Sequence, residues 1–173
     1  MENLFLIALL TSAFILLLIL MYRMFQSWLA LQERRWMFQL KADNNKALSN
    51  LRLTACERVI IMLERITPTS LVMRQSMAGK TSSALQLELL KSVREEFELN
   101  VSLQMYVSEN TWNDISDAKE YVVELIRLAS TKVEPASPAI NLSRYIFDIE
   151  AVEGNTKIKR ALTSIRKEIE SRY

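Results

Sequence analysis

The sequence predicts an all-α protein: an N-terminal transmembrane helix that extends into a cytoplasmic bundle of four to five helices. Three observations predict it. Residues 3–22, NLFLIALLTSAFILLLILMY, carry no charge and no proline. Downstream, apolar residues recur at three- and four-residue steps, the period of a helix with one buried face. Glycine (2) and proline (3) are scarce while Leu, Glu, Lys, Arg, Ala and Met are plentiful, and these favour helix.

About 20 apolar residues at ~1.5 Å rise match the ~30 Å hydrocarbon core of a bilayer. Two other readings fit less well. A core helix seldom stays apolar on every face for this length. A cleavable signal needs a basic leader and a small-x-small cleavage site. Here the leader is Met1-Glu2-Asn3, and Met21, Tyr22, Arg23, Met24 and Phe25 follow the run. Arg23, Arg34, Arg35 and Lys41 lie after it against one acid, Glu33, whereas only Glu2 precedes it. The excess of basic charge on that side puts the N-terminus outside and the C-terminal bulk in the cytoplasm of a single-pass inner-membrane protein. Tyr22, Arg23, Trp28, Arg34 and Arg35 are the expected membrane-interface residues, the two aromatics forming a belt at headgroup depth. Ala8 and Ser12 make a small-x-x-x-small pair through which such helices approach each other. No charge lies within the run, which argues against an ion or proton path along it.

The expected domains are a transmembrane anchor (1–24), a juxtamembrane helical extension (25–47) and a cytoplasmic helical domain (48–173). In the extension Phe25, Trp28, Leu29, Trp36 and Leu40 lie near one face. Asp43, Asn44 and Asn45 are a polar interruption where this helix is expected to end or bend. Leu48, Leu51, Ala55, Val59, Met62, Leu63 and Ile66 then keep the helical period, and Thr67-Pro68 stops it. A short helical turn is expected at 69–75 and a loop at 76–80. Ser83 with Gln86 three residues on has the form of a capping box. The helix behind it presents Leu85, Leu89, Leu90, Val93, Phe97 and either Leu99 or Val101. Ser108 is the expected N-cap of the next helix, with Glu109 in its first turn and Trp112, Ile115, Ala118, Val122, Leu125, Ile126 and Ala129 as its stripe. Residues 135–138 (PASP) form a linker. Asn141 is the expected cap of a helix presenting Leu142, Tyr145, Ile146, Ile149 and Val152, closed by Gly154. Asn155 is the expected cap of the last helix, with Ile158, Ala161, Leu162, Ile165 and Ile169 inward.

Net charge is +2 for the whole chain, and Glu2 cancels Arg23, so the part beyond the anchor is equally balanced. That balance does not predict nucleic-acid binding. The single cysteine, Cys56, admits no internal disulfide, in keeping with a reducing compartment. Histidine is absent, which removes the commonest general base and metal ligand and argues against an enzyme.

Each motif has an ordinary reading beside the sharper one. AGKT at 78–81 has the end of a phosphate-binding loop, but Arg74 stands where its first glycine belongs and no strand precedes it, so a loop before a helix is expected. Glu95, Glu96 and Glu98 could serve metal or acid–base chemistry. Without histidine partners they are expected on a solvated helix face. Cys56 falls on an apolar stripe and is expected as a buried thiol rather than a nucleophile. Lys157, Lys159, Arg160, Arg166, Lys167 and Arg172 could meet an anionic leaflet, yet an outer helix face with basic residues near its C-terminus explains them as well.

The blocks RLTACER (52–58), LERITP (63–68) and LQLELLKSVREEFELNVSLQMYVSENTW (85–112) resemble an uncharacterised family of short membrane-anchored proteins from Bacteroidota. The resemblance covers most of the soluble part and implies a bacterial inner-membrane protein with a cytoplasmic helical domain. It carries over no catalytic or ligand residue.

The function expected is therefore that of a non-enzymatic, membrane-tethered interaction or scaffold protein. The alternative is an accessory or stalk-like subunit of a transport, secretion or energy-coupling complex. Membrane lipid and a protein partner or second copy are the expected partners, with no cofactor, metal, nucleic acid or small-molecule substrate. Candidate contacts are Ala8, Ser12, Trp36 and Phe38, with Met73 and Met77 as further apolar residues expected outside the core.

Overall fold

The computed structural model describes residues 2–171, with the side chains of 14–29, 32, 36, 37, 39, 41 and 45–171. Among these residues the regular secondary structure is helical, joined by turns and short loops, apart from an isolated antiparallel bridge between Thr81 and Pro138. The chain divides into two compact units, Met1–Ser49 and Asn50–Tyr173.

Helix α1 runs Glu2–Arg65. The helix does not end at Asp43, Asn44 and Asn45, where an end or bend is expected from the sequence. Asn and Asp cost only about 0.5–0.7 kcal/mol each in a helix interior, and extending an existing helix needs no new nucleus. With no glycine or proline between Glu2 and Arg65, nothing breaks the ladder. Among the described residues no helix is long and apolar enough to cross a membrane. Of the apolar run, side chains are described from Phe14 onward.

In the second unit, Ala55, Cys56, Val59, Met62, Leu63 and Ile66 of α1 are buried in one hydrophobic core. Leu48 and Leu51, read as part of the same stripe, are about half exposed. Helix α2 (Pro68–Met73) begins with proline in its first turn, where a missing N–H costs nothing, and Thr67 Oγ1 accepts from the Ser70 N–H. Helix α3 (Ser82–Asn100) buries Leu85, Leu89 and Val93, and Leu90 and Phe97 pack at its margin. Leu99 and Val101, the alternatives for its last inward position, are both exposed, because a 3-10 turn at Val101–Tyr106 rotates the chain and buries Leu103 instead.

Helix α4 (Glu109–Ser130) is the hub, packing on α3, α5 (Ala139–Glu153) and α6 (Thr156–Glu170). Its buried residues Ile115, Ala118, Val122, Leu125, Ile126 and Ala129 are the expected stripe, and Trp112 sits at the edge. Helix α6 buries Ile158, Ala161 and Ile165. Each large aliphatic side chain so buried contributes about 1.5–3 kcal/mol. In α5, Leu142 and Ile146 are buried, but Tyr145 and Val152 are exposed: the inward face ends before the last turn.

Two helix starts differ from the sequence reading for one reason. The N-cap of α3 is Thr81, whose Oγ1 accepts from the Ala84 N–H, in place of the expected box on Ser83. The cap of α5 is Pro138, in place of Asn141, which lies inside the helix. At the bridge the two starts satisfy each other. The Ser82 N–H donates to Ser137 O (2.7 Å), Ser83 N–H to Pro135 O (3.0 Å) and Ala139 N–H to Lys80 O (3.0 Å). Backbone donors that a local side chain would otherwise cap are satisfied by a loop about fifty residues away. Gly154 closes α5 at φ +69°, as expected from its place. Asn155 does precede α6, but at φ +52° and without a side-chain cap bond; its amide donates to Glu150 instead.

Candidate functional site

The chemistry available in the first unit is apolar. Residues 14–22 are exposed without interruption, each by 46–64%. Successive residues of a helix point about 100° apart, so this exposure covers every face of α1. Phe25 and Trp28 stack at 6.3 Å, Gln26 Nε2 donates to the Tyr22 hydroxyl (3.1 Å), and Ser27 Oγ donates to Met24 O (2.8 Å). The hydroxyl of Ser27 thus turns back on the helix. Tyr22, Arg23, Trp28 and Trp36 are all exposed. The side chains of Ala8, Ser12, Arg34, Arg35 and Phe38 lie outside the described residues.

The second unit offers grooves and ion pairs on its surface. No group of three or more Cys, Asp or Glu side chains that could hold a metal ion occurs among the described residues. Between α3 and α4 a groove is lined by Leu90, Phe97, Lys119 and Val123. Phe97 meets Trp112 at 5.5 Å, and Lys119 lies 5.0 Å over the Phe97 ring, an attraction between cation and ring face. Lys119 is also paired with Glu120 at 2.5 Å.

Glu96 departs from the solvated-face reading. Its carboxylate accepts from Arg65 Nε (2.6 Å) and lies 3.6 Å from Arg74, with a side chain only 15% exposed. Arg74 also donates to Arg65 O, satisfying a carbonyl at the end of α1. The three residues lock α1, α2 and α3 at one corner. Lys80 of the AGKT stretch pairs with Glu88 on α3 (2.5 Å), so its charge is already matched. Met77, expected outside the core, packs against it and accepts from the Ser143 hydroxyl, whereas Met73 is exposed as expected. On α6, Arg160 pairs with Asp114 (2.8 Å) and Lys157 approaches Asp117 (3.6 Å), so part of its basic face serves α4.

Two junctions were not visible in the sequence. The Glu168 carboxylate on α6 accepts from the Ser108 N–H (2.9 and 3.1 Å) and from the Ser108 hydroxyl (3.0 Å). It therefore caps the start of α4 with a negative charge, where the helix dipole favours one. At the α5–α6 corner Glu150 accepts from Thr69 and from Asn155, and Tyr121 reaches the same corner from α4. Burial, with the Glu153 and Glu150 carboxylates close by, pushes the Tyr121 hydroxyl up to about 12. That hydroxyl oxygen is buried and has no partner in hydrogen-bonding geometry. Tyr121 sits one place before the stripe residue Val122, which is its only trace in the sequence.

A scan against family models matches residues 2–172 to a family of unknown function, DUF7935. No curated protein and no solved structure matches the chain. With a match over nearly its whole length, the chain belongs to the DUF7935 family.

Proposed function

We propose that the chain is a membrane-tethered, non-enzymatic interaction protein, anchored by residues 3–22 in a bacterial inner membrane with its helical unit in the cytoplasm. The carrying observation is the unbroken exposure of residues 14–22 on every face of α1. A helix apolar all round needs a covering, and a bilayer supplies one of matching thickness. The ten residues before Phe14, LFLIALLTSA, continue the same composition. The positive flank from Arg23 to Lys41 supports the orientation, and Tyr22 and Trp28 suit the headgroup layer. The resemblance to membrane-anchored chains of Bacteroidota agrees with this setting. The Asn50–Tyr173 unit then offers its surfaces to a protein partner at the membrane, where confinement raises effective concentration.

The test is an alkaline carbonate wash of membranes from cells producing the full chain. Retention in the membrane pellet, with release on deletion of residues 3–22, is the expected result. A chain that washes off with peripheral proteins would end the anchor reading. Purification in mild detergent then separates two forms of the proposal: self-association alone favours a scaffold, and a stoichiometric second protein favours an accessory subunit.

A further inference from the structure

We infer that the groove between α3 and α4 receives an amphipathic helix of a partner protein, with the acidic end of that helix over Arg94 and Arg127. The inference rests on the interaction reading above and names the surface and the partner chemistry that it leaves open.

The first support is the lining of the groove. Phe97 meets Trp112 and Lys119 at one end, and Leu90 shares the groove with Val123 and Arg127 at the other, so α3 and α4 run antiparallel. The space between them is about 330 Å³. Its floor is apolar: Val93 is buried, and Leu90, Phe97 and Val123 are partly buried against the core. Leu87 stands seven residues before Arg94 and eleven before Glu98, which puts all three on one line of α3 at about 100° per residue. It extends the wall of the groove with a leucine that is 69% exposed. From Leu87 to Phe97 the wall is about 15 Å long at ~1.5 Å per residue. A trough of that length takes about three turns of a helix, held by apolar residues three and four apart.

The second support is charge. The charged residues of the groove are sorted along it by the antiparallel packing. Glu98, Lys119 and Glu120 gather at the Phe97 end. Lys119 is taken up there by Glu120 and the Phe97 ring, which leaves Glu98 as the unmatched charge. Arg94 and Arg127 lie beyond, towards Leu90 and Leu87. Both are exposed, and among the described residues neither has a carboxylate within ion-pair distance. The groove is therefore negative at one end and doubly positive at the other. A helix that carries acidic residues at one end fits it in one direction only, since the reverse places carboxylates against Glu98. Guanidinium groups hold carboxylates through two parallel hydrogen bonds, and Arg and aromatic residues are enriched at protein interfaces.

The test is photo-crosslinking of the full chain in the cells that produce it. A benzophenone amino acid replaces Leu87, or Val152 on α5 as the control; both are exposed, so the core is left alone. The expected result is a protein adduct from position 87 and none from position 152. Mass spectrometry should place that adduct on a segment with apolar residues at three- and four-residue steps and Asp or Glu at the end nearest position 87. Arg94→Glu combined with Arg127→Glu should cut the yield about tenfold or more, because like charges then meet. Exchanging the partner's acids for Lys should restore it, which a misfolded chain would not allow. An adduct indifferent to the charge reversal, or one on a basic segment, on lipid or on a second copy, would overturn the inference. So would equal labelling at both positions, or none at 87. If a protein partner still copurifies in mild detergent while position 87 stays unlabelled, the groove is wrong and the interaction reading stands. If no protein partner is found by either route, both fall.

Discussion

Replacing Ser108 by Ala tests the junction between α4 and α6. Ser108 Oγ accepts from the Thr111 N–H (3.3 Å) as N-cap and donates to the Glu168 carboxylate (3.0 Å). Losing a serine N-cap costs about 1 kcal/mol. Losing a hydrogen bond to a charged group costs about 1.5–3 kcal/mol, at the low end here because both residues are only partly buried. The Ser108 N–H bonds to Glu168 survive the substitution, so the expected loss is about 2–3 kcal/mol. In a unit of this size that corresponds to a fall in Tm of roughly 8–12 °C. The assay is thermal unfolding of the full chain in detergent, followed by circular dichroism. Glu168→Gln should cost about 1–2 kcal/mol by removing the charge at the helix start. Since the two substitutions break the same contact, the double variant should fall short of their sum by about 1 kcal/mol. A Ser108→Ala chain as stable as the parent, or strict additivity in the double variant, would refute the account of this cap.

Other outcomes follow from single positions. Tyr121→Phe should leave stability at neutral pH nearly unchanged, because the hydroxyl it removes is buried and, with the Glu153 carboxylate close by, still forms no hydrogen bond of good geometry. The same variant should lose an alkaline transition. With the folded group raised to about 12 from 10.0, the unfolded chain releases its proton first; the contribution is complete below pH 10 and is lost as pH climbs towards 12. Denaturant titrations of both chains between those limits check the sign. Leu63→Ala, at a fully buried site, should cost about 2–5 kcal/mol in the same melts. Gly154→Ala should cost about 1–2 kcal/mol through backbone strain alone, since φ is +69° and an added Cβ would meet nothing within 4 Å. A loss well beyond that would mean that the turn is held by side-chain space after all.

What the sequence discloses here depends on how local the cause is. The α4 stripe, the Ser108 cap and the Gly154 stop arise from residues within a turn or two of each other, and each is legible from spacing and residue type. The starts of α3 and α5 are not. Thr81 and Pro138 take the cap positions because residues 80–83 and 135–139 exchange backbone hydrogen bonds, a pairing between segments far apart in the chain. Glu96 and Glu168 look like solvated carboxylates until α1 and α2 bring Arg65 and Arg74 to one and α4 brings Ser108 to the other. Helix α1 fails the other way. Its Asp43-Asn44-Asn45 stretch is locally unfavourable, but three weak helix formers do not outweigh strong ones on both sides. As for the candidate site, the apolar run and its aromatic flank were plain from composition. Which faces stay open, such as Leu48 at 49% and Trp36 at 66%, required coordinates.

The most direct test of the membrane-tether account is protease protection of a C-terminally tagged full chain in intact spheroplasts. The account predicts a tag that fractionates with membranes, survives external protease, and is digested only after the membrane is permeabilised. A tag digested in intact spheroplasts, or recovered in the supernatant, would contradict it.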